Sequence, residues 1–263
     1  MRGENSKSAV ALEGRLRGCK NVLTLGVRPN WSDYTERERT LILDAPVIYY
    51  PTLFYAELFD IMGKKTFPSY HTYKCVQDKI KQTALLALLG IPHPRTRVFY
   101  GKTQKASILD YFDFPFIAKV PRKSAMGRGV FLIQNEAELE RYCARKDPAY
   151  IQEYLPIDRD VRVVVVGDRV VHAYWRVAPE NEFRTNVAVG ASIRFEPIPQ
   201  TVLQLALETA RRCRWDDVGI DICVYENRGY VLEANMKYGR EGFRMAGIDF
   251  DRLMETMIEK GQI

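Results

Sequence analysis

The chain has 263 residues, of which 46% are hydrophobic and 27% charged, with 13 Pro and 17 Gly. Such a length and composition describe a globular protein with one large core or two small ones, and exclude low-complexity and collagen-like chains. A net charge of +6 suits nucleic acid, a nucleotide or an acidic substrate equally, so charge alone selects none of them.

The opening MRGENSKSAVALEGRLRGCK is basic but has no continuous apolar stretch. It reads as a loosely ordered tail over residues 1–20, not as a secretory signal. No apolar run approaches the length that crosses a bilayer. Strand-like runs follow at 21–26 and 44–51, then a helix from Leu53 to Met62 that Gly63 can stop. A long helix is expected from Tyr73 to Leu89, with Val76, Ile80, Ala84, Ala87 and Leu88 on one face and Gly90 past its end.

Beyond Pro94 strands alternate with helices. Strands are expected at 97–100, 114–120, 127–133 and 150–154, and helices at 106–112 and 136–145. Asn135 caps the second helix, with Glu138 placed for a capping box. Residues 161–166 and 169–175 form a hairpin around Gly167-Asp168. An amphipathic helix spans 201–214, with Leu203, Ala206, Leu207, Ala210 and Cys213 on one stripe. This irregular alternation argues for an α+β fold with antiparallel sheets.

Five scattered cysteines (Cys19, Cys75, Cys143, Cys213, Cys223) make no CxxC pair. His71, His93 and His172 have no zinc-type spacing to them. Reduced thiols in a cytoplasmic protein are the simplest reading. His172, Tyr49, Tyr50, Trp175 and Trp215 read as packing residues, and the arginines at 211, 212 and 214 as solvated cations favoured at a helix C-terminus.

Chemistry enters at Gly219–Asn235. With Asn227-Arg-Gly229 as a three-residue hairpin loop and Gly229 left-handed, Asp221 falls opposite Asn235 and Cys223 opposite Glu233. Alternation then puts Asp221, Glu233 and Asn235 on one face, and Ile222, Val224, Leu232 and Ala234 on the apolar other. A two-residue loop would send Asp221 to the wrong face. Three oxygen donors suit Mg²⁺ or Mn²⁺ completed by phosphate and water; an acidic solvent-facing hairpin is the competing reading. Upstream, Lys119 ends the strand Phe114-Pro-Phe-Ile-Ala-Lys119, where it can meet a phosphate as a point charge. Ser124-Ala-Met-Gly-Arg-Gly129 is a Gly-rich loop able to cover a polyphosphate. It is neither a Walker A loop nor a GxGxxG at a helix start, and such a turn also serves in ordinary hairpins.

From about Asp44 onward the order of motifs resembles the ATP-grasp ligases of the RimK-like type, which add glutamate to a ribosomal protein. The resemblance rests on Asp78-Lys79 before Gly90-Ile-Pro92, Pro115 to Lys119, Gly127-Arg-Gly-Val130, Gln152-Glu153 and Asp160-Val-Arg162. It continues through Val166-Gly-Asp168, Phe183-Arg-Thr-Asn186, Gly219-Ile-Asp221, Glu233-Ala-Asn235 and Gly247-Ile-Asp249. It implies an abbreviated α/β region at 21–72 and an ATP-grasp domain at 73–263. The latter divides into a small lid-bearing subdomain at about 95–153 and a metal-binding subdomain at about 154–263, which together clasp ATP.

The resemblance also implies roles. Lys79 and Lys119 contact ATP phosphates, and Ser124, Gly127 and Gly129 belong to the lid. Gln152, Glu153, Tyr154 and Leu155 form the adenine-reading hinge. Asp160 holds the ribose, while Arg162 and Arg176 lie near the nucleotide. Arg184 and Asn186 face the γ-phosphate, and Asp221, Glu233 and Asn235 hold two Mg²⁺ ions. The implied reaction joins a carboxylate substrate to an amine acceptor, small molecule or peptide, through an acyl phosphate. Neither nucleic acid nor membrane is expected as a partner, and a homo-oligomer is left open. A phosphotransferase on the same fold, or an ATP-binding regulatory or RNA-binding module, is the alternative. The family usually follows Glu-x-Asn with a small residue and Pro-Gly, whereas here Met236-Lys-Tyr-Gly239 follows. This puts Lys237 and Tyr238 where the acceptor is expected.

Overall fold

The computed structural model describes residues 9–122, 129–180, 182, 184, 185, 187 and 190–263. Its first element is a strand where the sequence suggests a loose tail. Strand β1 (Ala9–Ala11) lies between β2 (Val22–Thr24) and β3 (Val47–Tyr49), parallel to both. Helices α1 (Glu36–Asp44) and α2 (Thr52–Ile61) follow β2 and β3, and β4 (Lys65–Phe67) completes the order β2-β1-β3-β4. Residues 9–12, with Leu16 and Cys19, are therefore core: the Ala-Val-Ala-Leu run is the near-continuous apolar pattern of a strand covered on both faces, and Leu12 and Leu16 are fully buried. Polar contacts tie the turn before β2 to the far end of the chain. The Lys20 backbone N–H donates to Glu255 Oε1 at 2.5 Å and Asn21 Nδ2 to the Glu255 carbonyl at 3.1 Å.

The long helix expected from Tyr73 is two helices, α3 (Tyr70–Val76) and α4 (Lys79–Leu88). Asp78 separates them, because its carboxylate accepts from the backbone N–H groups of Ile80 and Lys81 at 3.0 and 3.4 Å. An aspartate that caps a new helix competes with continuation of the old one. A four-stranded antiparallel sheet follows, with order β5-β8-β6-β7: β5 (Thr96–Phe99), β6 (Phe116–Lys119), β7 (Val130–Ile133) and β8 (Ala149–Glu153). The helix expected over 106–112 sits earlier, as α5 (Gly101–Ala106), followed by a 3₁₀ turn. Helix α6 (Glu136–Arg145) has the expected Asn135 cap, although Glu138 reaches the N–H of Gln134 instead of closing a box on Asn135.

The larger sheet has order β11-β10-β9-β12-β13 and is antiparallel throughout. Its strands are β9 (Arg159–Val166), β10 (Arg169–Val177), β11 (Ser192–Arg194), β12 (Asp217–Tyr225) and β13 (Arg228–Asn235). Helix α7 (Gln200–Cys213) covers one face, packing Val202, Ala206 and Ala210 on Val161, Val163, Val165, Ile220 and Ile222. The opposite face packs Val164 and Val166 on Phe243 of α8 (Glu241–Met245) and on Phe250, Met254 and Met257 of α9 (Phe250–Glu259), beside Ala9, Ala11 and Tyr49 of the parallel sheet. Cover on both sides explains six consecutive apolar or aliphatic-stemmed positions from Val161, where plain alternation would mark a half-exposed strand.

The β12–β13 hairpin corrects the expected register and reaches the same result by another route. Its loop is the two residues Glu226 and Asn227, both left-handed at φ +48° and +61°, between the paired Tyr225 and Arg228. That twist matches the strands it joins. Gly229 has no left-handed role; a Cβ there would come within 3.0 Å of Leu205 on α7. A bulge then shifts the pairing from Ile222↔Val231 to Asp221↔Glu233, taking up Leu232 as the extra residue. The bulge undoes the one-residue slip that the short loop introduces, so Asp221 and Glu233 stand directly opposite on one face.

Tyr238, expected near the acceptor, is instead buried. Its hydroxyl donates to Asp217 Oδ1 at 2.8 Å, the Tyr50 hydroxyl donates to Oδ2 at 2.9 Å, and Arg15 Nε lies 4.0 Å away. Burial pushes the Asp217 carboxyl up to about 6, against the pull of Arg15 and the two tyrosines. A carboxyl raised in the folded state stabilises it below the unfolded value and loses that contribution as pH rises through about 6. Across that window the wild type should lose up to about 3 kcal/mol relative to Asp217→Asn. Urea unfolding of both proteins from pH 4.5 to 7.5 measures this, and a pH-independent gap between them would refute it.

Candidate active site

Two lysines and a hairpin converge at the junction between the sheets. Lys79 opens α4, whose start is anchored by a hydrogen bond from its own N–H to the Pro121 carbonyl at 3.1 Å and by Arg122 Nε on Asp78 Oδ2 at 2.8 Å. From there Lys79 Nζ reaches Glu233 Oε2 at 3.2 Å. Asn235 Nδ2 donates to Glu233 Oε1 at 2.9 Å, leaving the Asn235 amide oxygen as an acceptor. Burial opposes ionisation of Glu233, but Lys79, Lys119 and the Asn235 amide outweigh it and hold the carboxyl down at about 2. Lys119, last in β6, is only 6% exposed. Burial pushes its ammonium pKa down, Glu233 pulls it back and Lys79 adds repulsion. Two cations and one carboxylate in a small half-dry space suit a polyanion with a divalent cation.

Beside this cluster lies a second, fully buried one. Asp160 and Arg162 are two apart on β9 and share a face; Arg176 pairs across from Asp160 on β10, and Asp221 across from Arg162 on β12. Arg176 Nε and Nη2 donate to Asp160 at 2.7 and 2.5 Å, and Arg176 Nη2 also lies 2.9 Å from Asp221 Oδ2. Arg162 donates through Nε and Nη2 to the two oxygens of Asp221, and Thr185 Oγ1 to Asp160 Oδ2 at 2.5 Å. Burial, with Asp221 adding to it, pushes the Asp160 carboxyl up against the pull of Arg176. Cross-strand pairs of opposite charge satisfy one another here.

That network surrounds three residues expected near the nucleotide. Asp160 is 1% exposed, Arg176 pairs with Asp160 and Asp221, and Arg162 pairs with Asp221 and donates through Nη1 to the Tyr238 carbonyl at 3.1 Å. Asp221 stands on the expected face with both oxygens accepting from arginine. Each carboxylate oxygen accepts about two hydrogen bonds, so Oδ1, which among the described residues takes only Arg162 Nε, has room for one more partner. Glu233 and Asn235 fit a hard divalent ion directly, and Asp221 fits as a single-oxygen ligand. Among the described residues, no group of three or more His, Cys, Asp and Glu side chains stands together as a metal cage.

Gln152 is buried inside β8, its Nε2 donating to Thr96 Oγ1 at 2.9 Å. Glu153 ends the strand and accepts the Arg95 N–H at 2.5 Å. Tyr154 and Leu155 lie beyond the strand, where main-chain groups are not committed to a ladder. Gly129 stands before β7 and its carbonyl accepts from Val120 N–H at 2.7 Å, whereas Ser124 and Gly127 lie outside the described residues. Arg184 forms a bidentate pair with Glu182 at 3.0 and 2.6 Å; Asn186 lies outside the described residues. Sequence reasoning missed Gln82, Thr185 and Asp217. Asp217 left a sequence trace as an acid at the head of an apolar strand, and Thr185 one as a member of the Phe183-Arg-Thr-Asn186 motif, where the resemblance gives it no role. His172 packs against Tyr174, Phe195 and Phe243, and all five cysteines are unpaired. No described helix is long and apolar enough to cross a membrane.

Comparison with known proteins matches residues 76–258 to the RimK-like ATP-grasp domain. The ribosomal protein bS6–L-glutamate ligase of Escherichia fergusonii is 29% identical over 210 residues, covering 77% of this chain and 70% of that protein. A probable alpha-L-glutamate ligase of Citrobacter koseri is 28% identical over 210 residues, with the same coverage. Among solved structures, the ATP-grasp ligase PsnB with minimal precursor, Mg and ADP superposes with TM-score 0.71 at 17% identity, over the whole of both chains. The D-alanine–D-alanine ligase of Bacillus anthracis with ATP gives 0.69 at 14% identity, over 95% of each. The likeness in structure is one of fold, and with the domain match it shows that the chain belongs to the RimK-like ATP-grasp family and is an ATP-dependent ligase.

Proposed function

We propose that this ligase joins a carboxylate to an amine through an acyl phosphate, in a Mg²⁺-dependent reaction at the Lys79–Lys119–Glu233–Asn235 cluster. The observation that carries the reading is the meeting of two lysines with a carboxylate held at about 2. A carboxylate is a poor acylating agent, and its attack on the γ-phosphorus of ATP needs neutralised charge and in-line positioning. Lys79 and Lys119 bind phosphate oxygens. Glu233, Asn235 and one oxygen of Asp221 hold the divalent ions, two in this proposal, which supply the remaining charge neutralisation. The main chain of Tyr154 and Leu155 reads the adenine edge, and the segment around Ser124, Gly127 and Gly129 excludes water from the acyl phosphate. Arg184 and Asn186 are assigned to the γ-phosphate. An amine then displaces phosphate and the amide forms, with no protein nucleophile.

The names of the bS6–L-glutamate ligase relatives support glutamate and a protein-type partner as the first pair to try. Exposed Lys237, whose charge acts on the half-buried Glu13, is assigned to the acceptor side of the site. A cytoplasmic location belongs to the same proposal, supported by five unpaired thiols. The test is Mg²⁺-dependent ADP release across a panel of carboxylates with hydroxylamine as the trap. Carboxylate-dependent hydroxamate is expected. ADP release that phosphorylates a substrate, and yields no hydroxamate from any carboxylate, would replace the ligase mechanism with phosphotransfer.

A further inference from the structure

Strand β13 is the outer edge of its sheet, so alternate residues present their N–H and C=O groups away from β12 with no strand to receive them. At Ala234, between Glu233 and Asn235, a side chain takes the place of that missing strand. Gln82 Oε1 accepts from the Ala234 N–H at 2.9 Å, and Gln82 Nε2 donates to the Ala234 carbonyl at 2.9 Å. A second hydrogen on Nε2 reaches the Val76 carbonyl, the last of α3, at 2.6 Å. Gln82 is 4% exposed and Ala234 fully buried, so water is not available to substitute for these bonds.

The place of this clamp matters. The bulge that sets Glu233 opposite Asp221 lies immediately before Glu233, and a bulge leaves its own residue unpaired and the ladder locally disrupted. A slip of one residue at that point would turn Glu233 and Asn235 onto the apolar face. Gln82 fixes the strand on the far side of the bulge by both of Ala234's main-chain groups. It also stands one turn after Lys79 on α4, and residues three apart share a helix face. The helix that brings an ammonium to the Glu233 carboxylate thus also holds the backbone that aims it.

We propose that Gln82 is a positioning residue for the ligase reaction. Its carboxamide acts as a one-residue surrogate strand that locks β13 in register, aiming Glu233 and Asn235 at the divalent ion and phosphates. The inference rests on the assignment of Glu233 and Asn235 under Proposed function. Partners that orient metal ligands commonly change metal affinity by about 10- to 100-fold when removed.

The test compares Gln82→Met, which keeps the volume and loses all three hydrogen bonds, with Leu86→Ala, a core truncation one turn later on the same helix. Mn²⁺ is titrated into each protein with ADP, without turnover, and free Mn²⁺ is read by electron spin resonance. Amide exchange at Ala234 is followed in parallel. Gln82→Met should weaken Mn²⁺ binding about tenfold and speed Ala234 exchange, while Leu86→Ala lowers the melting temperature and leaves Mn²⁺ affinity within about twofold of wild type. Equal effects of the two variants on Mn²⁺ would reduce Gln82 to a core residue and overturn the proposal. Glu233→Gln is run alongside. If it binds Mn²⁺ like the wild type, the metal assignment itself fails; if it loses Mn²⁺ while Gln82→Met keeps it, only the role of Gln82 fails.

Discussion

Lys119→Met is expected to lower kcat/KM for ADP release by about a thousandfold, equivalent to about 4 kcal/mol of transition-state stabilisation, while the melting temperature stays level or rises. The two signs have one cause. Lys119 is 6% exposed and its ammonium is destabilised first by burial and then by Lys79, with Glu233 as partial compensation. Methionine of similar length removes a desolvated charge from the end of β6 and leaves Glu233 with Lys79 and Asn235. Without ATP the lysine is a cost; with ATP it faces the phosphate charge that makes the site react. Steady-state kinetics and thermal unfolding on the same preparation measure both. Activity within threefold of wild type would remove Lys119 from the phosphate site. An unfolded variant would show that the fold needs the ammonium charge, since methionine keeps the apolar stem.

The second large effect is structural. Arg176→Met strands Asp160 at 1% exposure with only Thr185 as a donor, and leaves Asp221 to Arg162 alone. Removing one member of a buried ion network costs about 3–5 kcal/mol, because the remaining charge stays uncompensated. For a chain of this size that lowers the apparent melting temperature by about 10 °C. The defect should be larger at pH 8 than at pH 5. In the variant, burial keeps the Asp160 pKa high with Arg176 gone, so acid neutralises the stranded carboxylate and alkali charges it. Adding Asp160→Asn should recover much of the loss at pH 8. A single variant less than 1 kcal/mol below wild type at pH 8 would mean that Arg176 does not hold this network together.

How far the sequence reached is clearest in the hairpin. Alternation puts Glu233 and Asn235 on one face of their strand, but bringing Asp221 to the same face rested on a three-residue loop, in whose place the structure has a two-residue loop and a bulge. Loop length and bulge were not legible, because a two-residue loop with a bulge at Leu232 and a three-residue loop without one give the same facing. Parity is strongly encoded wherever one face is buried, whereas the path that achieves it is not. The ion network failed for a different reason. Asp160, Arg162, Arg176 and Asp221 are visible as charges on strands, but whether a strand charge meets a ligand or a neighbouring strand depends on pairing, which β9 settles by lying between β10 and β12. Gln82 left no signal, since a glutamine in an amphipathic helix is ordinary until the edge it meets is known. The N-terminal strand was missed because three residues of Ala and Val are too few for periodicity to register.

That short strand has a consequence for the order in which the protein can be made. The turn that feeds β2 is held by Glu255 through Lys20 and Asn21, and Cys19 Sγ reaches the Asp251 carbonyl, partners more than 230 residues downstream. During synthesis β1 and its neighbours leave the ribosome long before α9, and the apolar surface that α9 covers stays exposed until that helix has emerged. Contacts of such separation form late and slowly. The interval between the emergence of β1 and that of α9 is when this fold is most open to misassembly and to chaperones.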